Sequence, residues 1–325
     1  MTYSAGQTIA AADYNGFVGS VNTVLTSYGQ TNLSTVTAGT SVVTSSGQWA
    51  ALGANINQLA THQGTTVSSY ASQFGAGTTV NYLSTLSNDI TSIGAAGNVL
   101  SAAAQGTQVV AWTGTTYKAG TTGSGTAAWT LTWTHTLTFT SATAATNFFN
   151  AGGVVKVQFG KSSTGNSEDT EWNAFVGAGG AGGVCASGVF LSSSSTAKNL
   201  PQGTAKTGTF YTGGSGTPTI TNLGYANLTG TLQTIYQQND SGAAYSSNYV
   251  RIQASQNSAG VLTISTVWYN SGAAVNAQIQ GGTATNSPLS TWGTAPATVV
   301  TCFPPANNLG ASIASPSIAV TLATT

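Results

Sequence analysis

Charge is what this chain has least of. Six acidic and six basic residues serve 325 positions, and neither Lys nor Arg occurs before Lys118. A globular chain is about one quarter charged, so the surface here must be kept wet by Ser, Thr, Asn, Gln and exposed backbone. Six dispersed cations cannot neutralise a phosphate backbone, and nucleic-acid binding is not expected. No run of about 18 apolar residues occurs, so no membrane insertion is expected. The opening Met1-Thr2-Tyr3-Ser4-Ala5-Gly6-Gln7 has neither a basic nor an apolar region, so no secretory signal is expected.

Chemistry-bearing residues are also scarce. Cys185 and Cys302 are the only cysteines and form no CxxC pair; two free thiols are the first reading, and a disulfide stays open beside it. His62 and His135 are too few for a multi-histidine metal site. His135 falls on the apolar side of an alternating segment and is expected in a core or interface, while His62 ends a helical stretch before Gly64 and is expected beside the last carbonyls. Glu168, Asp169 and Glu171 form the one acidic cluster. It lacks EF-hand spacing, which leaves a solvated loop before a strand at Trp172 as the expectation and a Ca²⁺ loop as the alternative. The glycines between Gly177 and Gly188 lack the Lys-Ser or Lys-Thr ending of a phosphate loop, and Gly-x-Ser-x-Gly is absent. The residues therefore assign no catalytic, cofactor or metal site, and no cofactor is expected.

What the chain does have is apolar and aromatic content. At 40 % apolar, with seven Trp, twelve Tyr and ten Phe, it can bury one large core or two moderate ones, and disorder is not expected. Ala-Gly-x-x-apolar recurs at Ala5, Ala38 and Ala76. Each copy precedes a stripe of helical period: Tyr14, Phe17, Val21, Val24; Trp49, Leu52, Ile56, Leu59; Leu83, Leu86, Ile90, Ile93. Asp13 suits a first turn, and Ser45 with Gln48 suits a capping box. Each stripe is too narrow and polar to be stable alone, so the stripes must pack on one another or on copies in neighbouring subunits.

After a Gly/Thr-rich stretch, the period changes. Trp129, Leu131, Trp133, His135, Leu137 and Phe139 alternate with threonines, which predicts a strand. A helix is expected over Ser141 to Asn150, stopped by Gly152-Gly153. Strands are expected at 154–159, 172–176, 207–211, 217–223, 249–254, 261–269, 275–280, 297–303 and 315–322. The fold class that follows is α+β, a short N-terminal helical module followed by a mainly antiparallel all-β sandwich domain. Its expected units are a module over 1–104, a linker or outer strand over 105–126, and the sandwich over 127–325. Aromatics in polar, Gly-rich surroundings are the remaining recognition chemistry: Trp112, Tyr117, Tyr236 and Tyr249, and, as the candidate surface residues, Tyr211, Tyr225, Tyr245 and Trp292.

Two strings carry a resemblance. Ile9-Ala10-Ala11-Ala12-Asp13-Tyr14-Asn15, with Tyr28-Gly29-Gln30 and the run from Trp49 to His62-Gln63-Gly64, resembles the N-terminus of virion structural proteins of tailed bacteriophages. Leu137 to Gly153, containing Phe148-Phe149-Asn150-Ala151-Gly152-Gly153, is similar to a Phe-Phe-Asn-x-Gly-Gly stretch in the same group. The likeness covers residues 5–65 and 129–175; beyond them only composition agrees.

The resemblance implies a non-enzymatic tail-fibre or appendage subunit, assembled in the host cytoplasm and released in the virion by lysis. Other virion proteins are the implied partners, along with a host surface glycan or protein. A homo-oligomer is expected, a trimer being the favoured fibre solution. Tyr14, Phe17, Val21, Trp49, Leu52, Ile56 and Leu59 would serve attachment or oligomerisation. A neck, collar, sheath or capsid decoration is the alternative. A polysaccharide depolymerase using Glu168, Asp169, Glu171 or Asp240 stands behind both.

Overall fold

A computed structural model describes residues 10–39, 47–68, 83–95, 110–113, 128–160, 167–176, 189–192, 209–210, 223–225, 230–240, 247–271, 278–279, 282–283, 296–306, 309 and 313–324. Three helices come first: α1 (Ala11–Ser27), α2 (Gln48–Gln63) and α3 (Leu83–Ala95). Their stripes pack on one another within the one chain. Tyr14, Phe17, Val21, Trp49, Leu52, Ile56 and Leu59 are all buried there with Leu83, Leu86, Ile90 and Ile93. The seven residues expected to serve attachment or oligomerisation are thus packed inside the module of a single chain.

Local chemistry sets the helix ends. Asp13 lies in the first turn of α1, where a carboxylate suits the helix dipole. α1 closes at Gly29 (φ 69°), with Gln30 N–H bonding back to the Leu25 carbonyl at 2.9 Å. α2 repeats the device at Gly64 (φ 71°), with Thr65 N–H on the Ala60 carbonyl at 2.9 Å. Left-handed backbone of this kind favours glycine. α2 starts at Gln48 after an N-cap of Gly47, so the expected box with Gln48 at the third position is not formed.

Amides replace charges in joining these elements. Asn15 and Asn22 sit two turns apart on α1. Asn15 donates to the Val36 carbonyl and accepts from the Val36 N–H, both at 2.8 Å. Asn22 does the same with Leu33 at 2.9 and 2.8 Å. Each side chain thus acts as a strand partner for the segment after α1, satisfying backbone groups that the segment cannot pair itself.

The remaining elements are β1 (Val110–Thr113), β2 (Trp129–Thr138), α4 (Ala142–Asn150), β3 (Val154–Gly160), α5 (Ser167–Val176), β4 (Val189–Ser192), β5 (Thr209–Phe210), β6 (Leu223–Tyr225), β7 (Gln233–Asn239), β8 (Tyr249–Gln256), β9 (Val261–Asn270), β10 (Gln278–Ile279), β11 (Gly282–Thr283), β12 (Ala297–Phe303) and β13 (Ser317–Thr324). One sheet runs β1-β12-β3-β4-β6, a second runs β13-β2-β9-β8-β7-β5, and β10 pairs with β11. All neighbours are antiparallel except β4 and β6. β1 falls inside the 105–126 stretch and is an outer strand on β12.

The two larger sheets share a core. Trp172 stacks on Trp268 (centroids 5.3 Å apart) and lies 5.8 Å from Trp129, while Phe159 meets Trp268 edge-on at 5.8 Å. Thr298 on β12 joins the sheets by accepting from Trp268 Nε1 at 3.4 Å and Thr266 Oγ1 at 3.3 Å. β2 alternates as expected, its threonines outward. α4 is capped by Ser141, whose hydroxyl accepts from Ala144 N–H at 3.0 Å, and it ends at Gly152.

Two local expectations need correction. Residues 172–176 are the second half of α5, not a strand; Trp172, Phe175 and Val176 follow a helical spacing onto the core. Glu168, Asp169 and Glu171 are consequently helical rather than in a loop. β7 was not foreseen. A bulge between Thr234 and Tyr236 buries the consecutive residues Ile235 and Tyr236, which hides its alternation.

The helical unit docks on the α4–β3 corner. Asn150 Nδ2 donates to the Ser27 carbonyl at 3.0 Å, and His62 Nε2 lies 2.8 Å from the Ala151 carbonyl oxygen. A carbonyl only accepts, so that nitrogen carries the proton.

Candidate recognition surface

β8 and β9 turn alternate residues outward. Val250, Ile252 and Ala254 fill the core, which leaves Tyr249, Arg251 and Gln253 on the other face. In register, Tyr249 stands opposite Tyr269, and Arg251 opposite Val267. The two tyrosine rings stack with centroids 4.8 Å apart and planes 24° off parallel. Arg251 is two residues from Tyr249 on the same face, and its guanidinium carbon lies 5.1 Å from that ring's centroid. Such a contact is worth roughly 0.5–1 kcal/mol at a partly exposed site.

Neighbouring strands widen the patch. Asn239 and Gln237 on β7 oppose Tyr249 and Arg251, and Gln237 Nε2 donates to Asn239 Oδ1 at 3.0 Å. Thr130 on β2 opposes Tyr269. Beyond it, Thr132, Thr134 and Thr136 continue the face with Ser265, Thr263 and Gln253. The backbone beneath the tyrosines is braced by buried Asn248, whose Oδ1 accepts from Ser271 N–H at 2.9 Å and Ser271 Oγ at 3.2 Å. That clamp joins the start of β8 to the end of β9. The result is a sheet face with hydroxyls, amides, ring edges, Val267 and the chain's one arginine, half-buried at Tyr249, Arg251, Gln253 and Tyr269 and buried at Ser265 and Val267.

The described residues of the face offer hydrogen-bonding and aromatic chemistry. A guanidinium beside phenol and amide groups matches sugar hydroxyls, carboxylates or peptide carbonyls.

The other candidates fall elsewhere. Tyr211, Tyr245 and Trp292 lie outside the described residues, as do Tyr117, Cys185, the 177–188 glycines and the first and third Ala-Gly copies. Tyr225 ends β6 and Trp112 lies in β1; both are placed by backbone only. Tyr236 is fully buried. His135 is buried on β2 between Ile264 and Val320, and burial pushes its imidazole down to about 4. His62 reaches across to Ala151 instead of closing its own helix. Cys302 is a buried free thiol whose burial pushes it up to about 12. Among the described residues, no three His, Cys, Asp or Glu side chains group as metal ligands, and no helix is long and apolar enough to cross a membrane.

Tyr269 and Arg251 were not singled out from sequence. Their signal was present, because Tyr249 begins one predicted strand and Tyr269 ends the next, a spacing that a hairpin brings face to face. No family profile, curated protein or solved structure matches the chain.

Proposed function

We propose that this chain is a non-enzymatic structural subunit of a tailed-bacteriophage virion, a tail-fibre or appendage component. In this reading the outer face of its six-stranded sheet meets a host surface glycan or protein. The observation that carries the reading is the Tyr249–Tyr269–Arg251 cluster set in rows of Thr, Ser, Gln and Asn. A face with so little charge attracts few ions and depends little on salt, which suits a particle exposed to changing media. The resemblance of residues 5–65 and 129–175 to phage virion proteins points the same way.

A decoration of the neck, collar, sheath or capsid is the second reading. It is favoured by the docking of the helices on the α4–β3 corner, which leaves them no separate stalk-like role. Binding of the purified full chain to candidate host cells separates the two. The fibre reading expects binding that falls about five- to thirtyfold in Tyr249→Ala and in Arg251→Ala, since each removes a contact of the order of 1–2 kcal/mol. A decoration shows no cell binding and instead restores stability to particles lacking it. Release of reducing ends from host polysaccharide, lost in Glu171→Gln or Asp240→Asn, would overturn both in favour of a depolymerase.

A further inference from the structure

Sheet edges expose unpaired backbone groups, and monomeric proteins blunt them with short strands, charges, prolines or bulges. Three of the four outer strands of the two larger sheets follow that rule. Among the described residues, β5 has two residues, β6 three and β1 four. β13 does not. Ser317–Thr324 has eight residues, and it contains no Pro, no Gly and no charge. It pairs with β2 in unbroken register from Ser317↔Thr138 to Thr324↔Leu131, and no strand among the described residues lies on its other side.

The core is also incomplete along this edge. The inward residues of β2, Leu131, Trp133 and Leu137, are fully buried, whereas Ile318, Val320 and Leu322 beside them on β13 are only half-buried against the same core. Ser317, Ala319, Thr321 and Ala323 on the outward side are exposed.

We infer that β13 pairs antiparallel with β13 of a second copy of this chain, across a two-fold axis at Val320. That register keeps inward residues inward. Ile318 then faces the second copy's Leu322, Val320 faces its counterpart, and Ala319 faces Thr321. Every side chain in the seam is neutral, so the two copies meet without repulsion, and the half-buried apolar row becomes continuous across them. Pairing β13 with the opposite edge of another copy would meet, among the described residues, only the two of β5. The symmetric contact uses nearly all of β13. Two six-stranded sheets become one of twelve strands. The contact is isologous, so it closes on a dimer, or on an even-numbered assembly if another interface is added, and not on a lone trimer. The inference goes beyond the virion reading and holds whatever larger assembly the chain enters.

The test is the mass of the full chain by sedimentation equilibrium, beside two variants. The parent is expected at twice the 32.4 kDa chain mass or an even multiple of it. Ala319→Lys with Thr321→Lys places Lys against Lys twice across the seam, on positions exposed in the single chain, and is expected to halve the mass while leaving the thermal midpoint of the dissociated fold near that of the parent at high dilution. Ala319→Lys with Thr321→Glu places opposite charges in both pairs and is expected to restore the parent mass. A parent that is monomeric at all concentrations, a trimer, a mass indifferent to the double-lysine change, or loss without recovery in the Lys/Glu variant would each overturn the pairing. A parent that pairs only with a strand of another virion protein would register as the monomer.

Discussion

His62 on α2 gives its Nε2 proton to the carbonyl oxygen of Ala151, 89 residues later and 2.8 Å away, and both groups are buried. Its ring also meets Tyr28 edge-on, with centroids 5.3 Å apart. The next residue, Gln63, donates to the Tyr28 hydroxyl at 3.1 Å and to the Ile93 carbonyl at 3.0 Å. In His62-Gln63-Gly64, therefore, one residue holds the helices to the β unit, one ties α1 and α3 to α2, and one stops the helix.

His62→Ala removes the donor and leaves the Ala151 carbonyl buried without it. The expected loss is about 2–4 kcal/mol, from an unsatisfied buried acceptor plus a cavity. Chemical denaturation checks this, and His62→Gln, which keeps a donor, should lose less. A change under about 0.5 kcal/mol would show that the contact does not hold the units together.

His135 makes stability depend on pH. Its imidazole titrates at about 4 in the fold against about 6.5 free. Between those values the unfolded chain binds a proton that the folded chain refuses, so this contribution is intact above pH 6.5 and is lost as pH falls. The loss is about 1.4 kcal/mol per pH unit and roughly 3 kcal/mol by pH 4. His135→Leu suits the neighbouring Ile264 and Val320 and should flatten that slope relative to the parent; denaturation midpoints at pH 7, 6, 5 and 4 measure the difference.

Gly260 closes the β8–β9 hairpin at φ 84°. Its carbonyl accepts from Phe139 N–H at 3.1 Å, and a Cβ built on it would run into the Ser141 backbone carbonyl. Gly260→Ala should cost about 2 kcal/mol or more, combining left-handed strain with backbone displacement. Ser258→Ala in the same exposed turn should be close to neutral. Equal melting temperatures for the two variants would contradict this account.

Cys302 should be inert while the chain is folded. The thiolate is the reactive form, and burial raises this thiol to about 12. In a Cys185→Ser background, iodoacetamide at pH 8 is expected to label the protein only after denaturant is added. Prompt labelling of the native protein would mean that the β12 core opens far more readily than its packing implies.

Legibility in the sequence followed the range of the physics. β12 was readable to both ends at 297–303, and α4 to within a residue, because alternation, a capping Ser and a glycine stop are local signals. α5 was misread because Trp172-Asn173-Ala174-Phe175-Val176 is too short to separate a strand from one helical face. β7 was missed because its bulge breaks the period within seven residues. The tyrosine pair was half visible. Tyr249 stood out as an aromatic in a polar setting, but its partner depended on a register that only the folded hairpin establishes.

Composition and local periodicity by themselves determined that this chain is α+β, that three narrow helical stripes must find partners, and that its surface is made of amides and hydroxyls. Those properties reside in the residue types and their spacing. Tertiary structure alone decided that the stripes find one another within a single chain, that His62 reaches Ala151, that Tyr249 meets Tyr269, and that β13 stands at the rim of its sheet. Each of these joins residues far apart in sequence, and strand register and helix docking are selected by the shared burial of whole faces rather than by any neighbour along the chain.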